Sequence, residues 1–216
     1  EVIIDRIERS IDKFDQQTNN IYKSWSSRNT ALQNQISEVN KEIGIQQEAY
    51  NKYMSAANGV GLSSEWAEKV RNGEIDIETI KDEVLKEKID SYKDYYEKAL
   101  DCQDAIEDLR EEESKLYEQR FENIQAQYDG ILQGYEHTEA MLNQYISQAE
   151  EQGYIVSKEY YQALIDNEKA NIKELQKKQA DLIAARDEAV ASGAITEGSE
   201  AWYNMCSEVD SVTQAI

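Results

Sequence analysis

IETIKDEVLKEKIDSYKDYYEKALDCQDAIEDLREEESKLYEQRFENIQAQYDGILQGYEHTEAMLNQYISQA, residues 77–149, holds the pattern that decides the fold. Ile77, Ile80, Val84, Ile89, Tyr92, Tyr95, Ala99, Cys102, Ile106 and Leu109 recur at spacings near three and four, and Leu116, Phe121, Ile124, Tyr128, Ile131, Tyr135, Leu142, Tyr145 and Ala149 continue the series. That period belongs to a helix burying one stripe. Unbroken, such a helix would run about 110 Å. Gly130 and Gly134 each weaken it by about 1 kcal/mol relative to Ala, so a kink or turn is expected at 130–134.

Working outward, the N-terminal stretch repeats the pattern. Ile4, Ile7, Ile11, Phe14, Ile21 and Trp25 lead into Leu32, Ile36, Val39, Ile43, Tyr50, Tyr53 and Ala57, with Thr18, Asn29 and Gln46 at seam positions. These are heptads, the signature of a coiled coil. From Thr18 to Asn29 the steps run three, four, four, a stutter that locally unwinds a left-handed supercoil. The polar seam residues cost stability and set register or partner number.

Glycines punctuate the helices. Gly59 and Gly61 close the first, and Ser63 or Ser64 caps a short helix ending at Asn72-Gly73. Gly153 precedes a helix capped by Ser157, and Gly193 precedes one capped by Ser199. Gly73-Glu74-Ile75, Gly153-Tyr154-Ile155 and Gly193-Ala194-Ile195 share the form Gly-x-Ile before a capping residue. Two carry a hydrophobic staple, Ile75 with Ile80 around Asp76 and Val156 with Tyr161 around Ser157. The connectors read either as plain helix punctuation or as a helix-turn unit reused along a longer chain. The expected fold is all-α: long coiled-coil helices joined by short Gly-containing turns, open to folding back as helical hairpins. The segments are a helix over 1–57, a turn with a short helix over 58–76, a long helix over 77–152, and a helix-turn-helix unit over 153–216. Both ends read as internal to a longer protein.

Composition agrees. There is no proline, where a usual frequency of about 5% would place roughly eleven. The formal charge is −21, from 44 acidic and 23 basic residues. Such a chain repels phosphate backbones, and its scattered Lys and Arg form no basic stripe, so no sequence-specific nucleic-acid contact is expected. No apolar run is long enough to span a membrane.

The sequence carries no recognisable catalytic, cofactor-binding or metal-ligating constellation. His137 lacks the Glu-x-x-His partner of a helical-bundle metal site and reads as a solvated helix residue. Glu111, Glu112 and Glu113 point in three directions on a helix and read as a solvated face. Residues 68–79 place Val70 where a calcium loop needs an oxygen ligand and Thr79 where it needs a bidentate Glu. Cys102 and Cys206 read as free thiols acting as small core residues. The 14 tyrosines, paired at 95–96 and 160–161, suit half-buried seams with hydroxyls reaching water. A peptide- or sugar-binding face is the other reading of them.

GYIVSKEYYQALIDNEKANIKELQKKQADLIAARDEAVASGAITEGSEAWYNMCSEVDSV, within 153–216, resembles stretches of tail tape-measure proteins from phages and prophages of Gram-positive bacteria, and GVGLSSEWAEKVRNGEIDIETI, 59–80, is similar in character. The resemblance implies a structural, non-enzymatic role without cofactors: a multi-copy helical assembly in the tail lumen, associating with itself and other tail proteins and setting tail length. A coiled-coil interaction scaffold of a bacterial cellular or secreted protein is the alternative, with Trp66 and Trp202 near turns that could present pockets.

Overall fold

The computed structural model describes the backbone of residues 2–216, with side chains described at Lys13, Gln16, Gln17, Asn20 and from Ile21 onward. The seam positions Ile4, Ile7, Ile11, Phe14 and Thr18 lie outside the described side chains. The protein is all-α: α1 (Val2–Gly59), α2 (Ser64–Arg71), a 3-10 turn (Ile77–Thr79), α3 (Glu83–Glu151), α4 (Lys158–Ala191) and α5 (Glu200–Ala215). No strand occurs among the described residues.

Two boundaries differ from the sequence reading. The long helix begins at Glu83, not at residue 77. Asp76 caps the 3-10 turn by accepting from the Glu78 N–H, and the Asp82 carboxylate accepts from the N–H groups of Val84 and Leu85 at 3.0 and 3.1 Å. Two acidic caps in succession thus start two separate elements, and Ile80 between them is extended. The turn expected at 130–134 is absent, and α3 runs through both glycines. Neither has positive φ. Ile131 and Leu142 are fully buried here, and packing of that kind, about 1.5–3 kcal/mol per large side chain, outweighs the glycine penalty.

The true turns sit at glycines with φ between 70° and 83°: Gly61, Gly73, Gly153, Gly193 and Gly198. At two of the Gly-x-Ile connectors the chain closes in a Schellman motif. Gly73 and Glu74 N–H donate to the carbonyls of Val70 and Lys69, and Gly153 and Tyr154 N–H to those of Glu150 and Ala149. The third departs from this. Gly193 N–H still reaches the Val190 carbonyl, but Ala194 N–H turns to the Ser192 hydroxyl and Ile195 N–H takes the Ala189 carbonyl. Ser63 and Ser199 cap α2 and α5 by accepting from the Trp66 and Trp202 N–H groups.

The chain divides into two compact units, Glu1–Gln35 with Ser114–Ile216, and Ile36–Glu113. In the second unit, Ile36, Val39, Ile43 and Ala57 of α1 are buried, as are Ile89, Tyr92, Ala99 and Cys102 of α3. Both sets keep heptad spacing, so each helix buries one stripe. The chain reverses between them, and Lys88 donates back to the Gly61 carbonyl at 3.4 Å. Glu113 corrects the solvated-face reading of its triplet. Glu111 and Glu112 are exposed, but Glu113 is 0% exposed. It follows Leu109 by four positions and precedes Leu116 by three, so it falls on the apolar stripe itself.

In the first unit α3 has more neighbours. Asn123 meets Asn29 and Gly130 meets Ile21, which sets α1 antiparallel to α3. Arg120 meets Glu188 and Tyr128 meets Asp181, which sets α4 antiparallel to α3. Tyr22–Glu174 and Gln33–Glu188 leave α1 and α4 parallel. On α4, Lys178 and Arg186 reach Glu208 and Cys206 of the returning α5. The core gathers Phe121, Ile124 and Ile131 with Leu182, Ala185, Met205 and Val209.

Candidate functional site

Beside its apolar core, the first unit carries a ladder of polar pairs between helices. The Tyr22 hydroxyl donates to Glu174 at 2.5 Å and the Tyr128 hydroxyl to Asp181 at 2.6 Å. Arg120 donates to one Glu188 oxygen at 2.6 Å, and Gln33 donates to the other at 3.2 Å, so a single carboxylate ties α1, α3 and α4. Asn123 donates to the Asn29 side chain at 2.5 Å. Lys178, with a side chain 6% exposed, lies between Asp129 of α3 at 2.7 Å and Glu208 of α5 at 3.4 Å.

These bonds arise from helix register. Tyr22, Asn29 and Gln33 recur at seven and four on α1, and Asp181 and Glu188 recur at seven on α4. Each set therefore lines one face. Burial disfavours the charged phenolate, and the neighbouring carboxylates oppose it further. Both phenols are accordingly held well above their ordinary range, Tyr22 by burial and then by Glu174, Tyr128 by burial and then by Asp181. Phenol-to-carboxylate bonds of this type contribute about 1.5–3 kcal/mol each.

Between α1, α3 and α4 an open groove of about 570 Å³ runs along this ladder. Tyr22, Ser26, Asn29 and Gln33 form one wall, Asp181, Ala184 and Ala185 the other, and Arg120, Ile124 and Gln127 the floor. Asp181 and Arg120 are committed to protein partners. Gln127 is 8% exposed. The groove therefore offers neutral donors and acceptors on a polar surface, an arrangement suited to holding a partner by hydrogen bonds.

The remaining histidine, cysteine, acidic-loop and aromatic residues are spread over both units. His137 is exposed on α3. Cys102 is buried in the second unit, and Cys206 is half-buried with its sulfur 3.7 Å from the Arg186 guanidinium; both are free thiols. Glu68 and Glu74 of the 68–79 loop are exposed. Trp66 lies under Lys69 at 5.0 Å and Trp202 packs edge-on against Tyr203. Tyr95, Tyr96 and Tyr160 are half-buried, Tyr161 is exposed, and Tyr92 stacks on Tyr96 at 6.1 Å. Tyr22 and Tyr128 depart from the seam reading, since their hydroxyls serve carboxylates of α4 instead of water.

Among the described residues no three His, Cys, Asp or Glu side chains group where they could hold a metal ion, and no helix is long and apolar enough to cross a membrane. Gln127 and Arg120 were not legible in the sequence, because a single-stripe reading has no place for a helix that packs against two neighbours. In comparison with known proteins, no family model, no curated protein and no solved structure matches this chain.

Proposed function

We propose that this chain is a structural segment of a phage tail tape-measure protein, contributing helical length to tail-length determination and to tail assembly. The observation that carries the reading is the pair of helices α1 and α3, 58 and 69 residues long, in a chain without proline. A helical residue advances a fixed distance of about 1.5 Å, so residue count converts directly into length. The resemblance of 153–216 to tape-measure segments supports the same reading. So does the charge of −21, since an acidic lining does not retain a passing phosphate backbone.

In this role the polar ladder has a use. Polar seam residues fix register and partner number at some cost in stability, so the ladder suits a helical assembly of defined register. The partners are then further copies of the chain and other tail proteins, within the tail lumen. The test is an in-frame deletion of this segment from its parent gene, with tails measured by electron microscopy. Tails shortened in proportion support the proposal, and tails of unchanged length overturn it.

The second reading is an interaction scaffold of a bacterial cellular or secreted protein. The open groove between α1, α3 and α4 favours it. Mass spectrometry of purified virions separates the two: recovery of the chain in tails supports the first reading, and its exclusion from virions the second.

A further inference from the structure

The Gly-x-Ile connectors treat their isoleucines differently. Ile195 is 2% exposed and Ile75 is half-buried, whereas Ile155 is 99% exposed. In a Schellman turn the residue after the glycine ordinarily packs an apolar side chain back on the helix it ends. Tyr154 holds that position and is 67% exposed. The backbone bonds of the turn are complete, and the Tyr161 hydroxyl donates across it to Glu150 at 3.2 Å. Two large apolar side chains are therefore displayed on a braced turn that has no need of them. Tyr161 and Ile165, one helical turn apart on α4, are exposed as well. Beside it lies a cavity of about 280 Å³ lined by Tyr145, Ile146, Val156 and Tyr160 among others, room for one bulky side chain. Exposed apolar patches with a polar rim mark interaction sites.

The rim says what kind of partner fits. On the helix ends flanking the turn, Glu150, Glu151, Glu159, Asp166 and Glu168 are exposed, against Lys158 and Lys169, the last 4.0 Å from Asp166. A second copy of this chain would bring the same acidic rim, and an anionic lipid surface would be repelled by it. We propose that the α3–α4 turn docks a cationic, amphipathic segment of a different protein, one apolar side chain entering the cavity beside Ile155 while Lys or Arg side chains meet the acidic rim. This site stands independently of the tape-measure reading.

The test uses the whole chain and a fluorescently labelled helical peptide of Leu and Lys heptads, read by anisotropy. Wild type is expected to bind the peptide, and Ile155→Asp to weaken binding at least tenfold although it adds a negative charge. Ile45→Asp, at an exposed apolar position of the second unit, is expected to bind as wild type. Both substitutions fall on exposed side chains, and circular dichroism checks that the helices persist. No binding by wild type overturns the proposal, as does equal or tighter binding by Ile155→Asp, which marks attraction by charge alone. Wild-type uptake on phosphatidylcholine vesicles that Ile155→Asp abolishes overturns it in favour of a lipid surface. Self-association in sedimentation that the same substitution abolishes overturns it in favour of a second copy.

Discussion

The Asn123 side chain donates to that of Asn29 at 2.5 Å, joining α3 to α1 at a position where heptad packing would ordinarily place hydrocarbon. Asn123 is buried. Asn123→Leu leaves Asn29 unmatched, at an expected cost of about 1–3 kcal/mol. The double substitution to Leu removes both polar groups, and its stability is expected to return close to wild type or above it. Urea unfolding followed by circular dichroism measures the cycle. A double variant as weak as the sum of the singles would show that the two carboxamides do not act as a pair.

The tyrosine latches set a pH dependence. Tyr22 and Tyr128 hold their protons in the folded state to higher pH than an ordinary phenol, through burial first and a carboxylate second. A raised folded value means that the contribution is fully present below the unfolded phenol value of about 10 and is lost as pH rises beyond it. Stability is therefore expected to be insensitive to these groups at neutral pH and to fall above about pH 10. In the Tyr22→Phe/Tyr128→Phe double variant that alkaline slope should flatten. An unchanged slope in a pH series of urea melts would refute the assignment.

Lys178 couples three helices through Asp129 and Glu208. Lys178→Met keeps the stem and removes the charge. The two stranded carboxylates are partly exposed and can rehydrate, so the expected cost is about 1–3 kcal/mol, less than for a fully buried pair. Loss of the Glu208 tether should show as faster amide hydrogen exchange across α5 than across α3.

The glycines divide by backbone, and alanine separates them. At Gly153, φ is 75°, and Gly153→Ala is expected to destabilise by about 1–2 kcal/mol. At Gly130 an added Cβ would meet Ile21 Cδ1 at 3.8 Å, an ordinary contact. Gly130→Ala should therefore stabilise by up to about 1 kcal/mol. Thermal melts of the two variants should move in opposite directions.

Glu113 is the remaining test of the seam. One carboxylate oxygen accepts from Arg110 at 2.7 Å and the other is buried without a hydrogen bond. Glu113→Leu should raise stability by about 1–3 kcal/mol, because replacing a partly matched buried charge with hydrocarbon removes a desolvation cost. A loss of stability instead would assign the carboxylate a structural partner.

What the sequence determined by itself is local. Helix content, the serine caps at 63 and 199, the turns at Gly73, Gly153 and Gly193, and the apolar stripes of α1 and α3 depend on φ preferences, capping hydrogen bonds and a 3.6-residue period, all within a few neighbours. Even there, Gly130 and Gly134 do not break the helix, since helix propensity is weak against the burial of Ile131 and Leu142.

Tertiary structure decided the rest. Heptads say that a stripe is buried but not against how many helices, so the double burial of α3 in the first unit, and with it Asn123 and Gln127, could not be read from one stripe. Which carboxylate receives the Tyr22 or Tyr128 hydroxyl depends on residues more than fifty positions away. The exposure of Ile155 against the burial of Ile195 is the plainest case. The two share a Gly-x-Ile motif, and the motif specifies only the turn, because solvent access is set by what the rest of the chain places beside it.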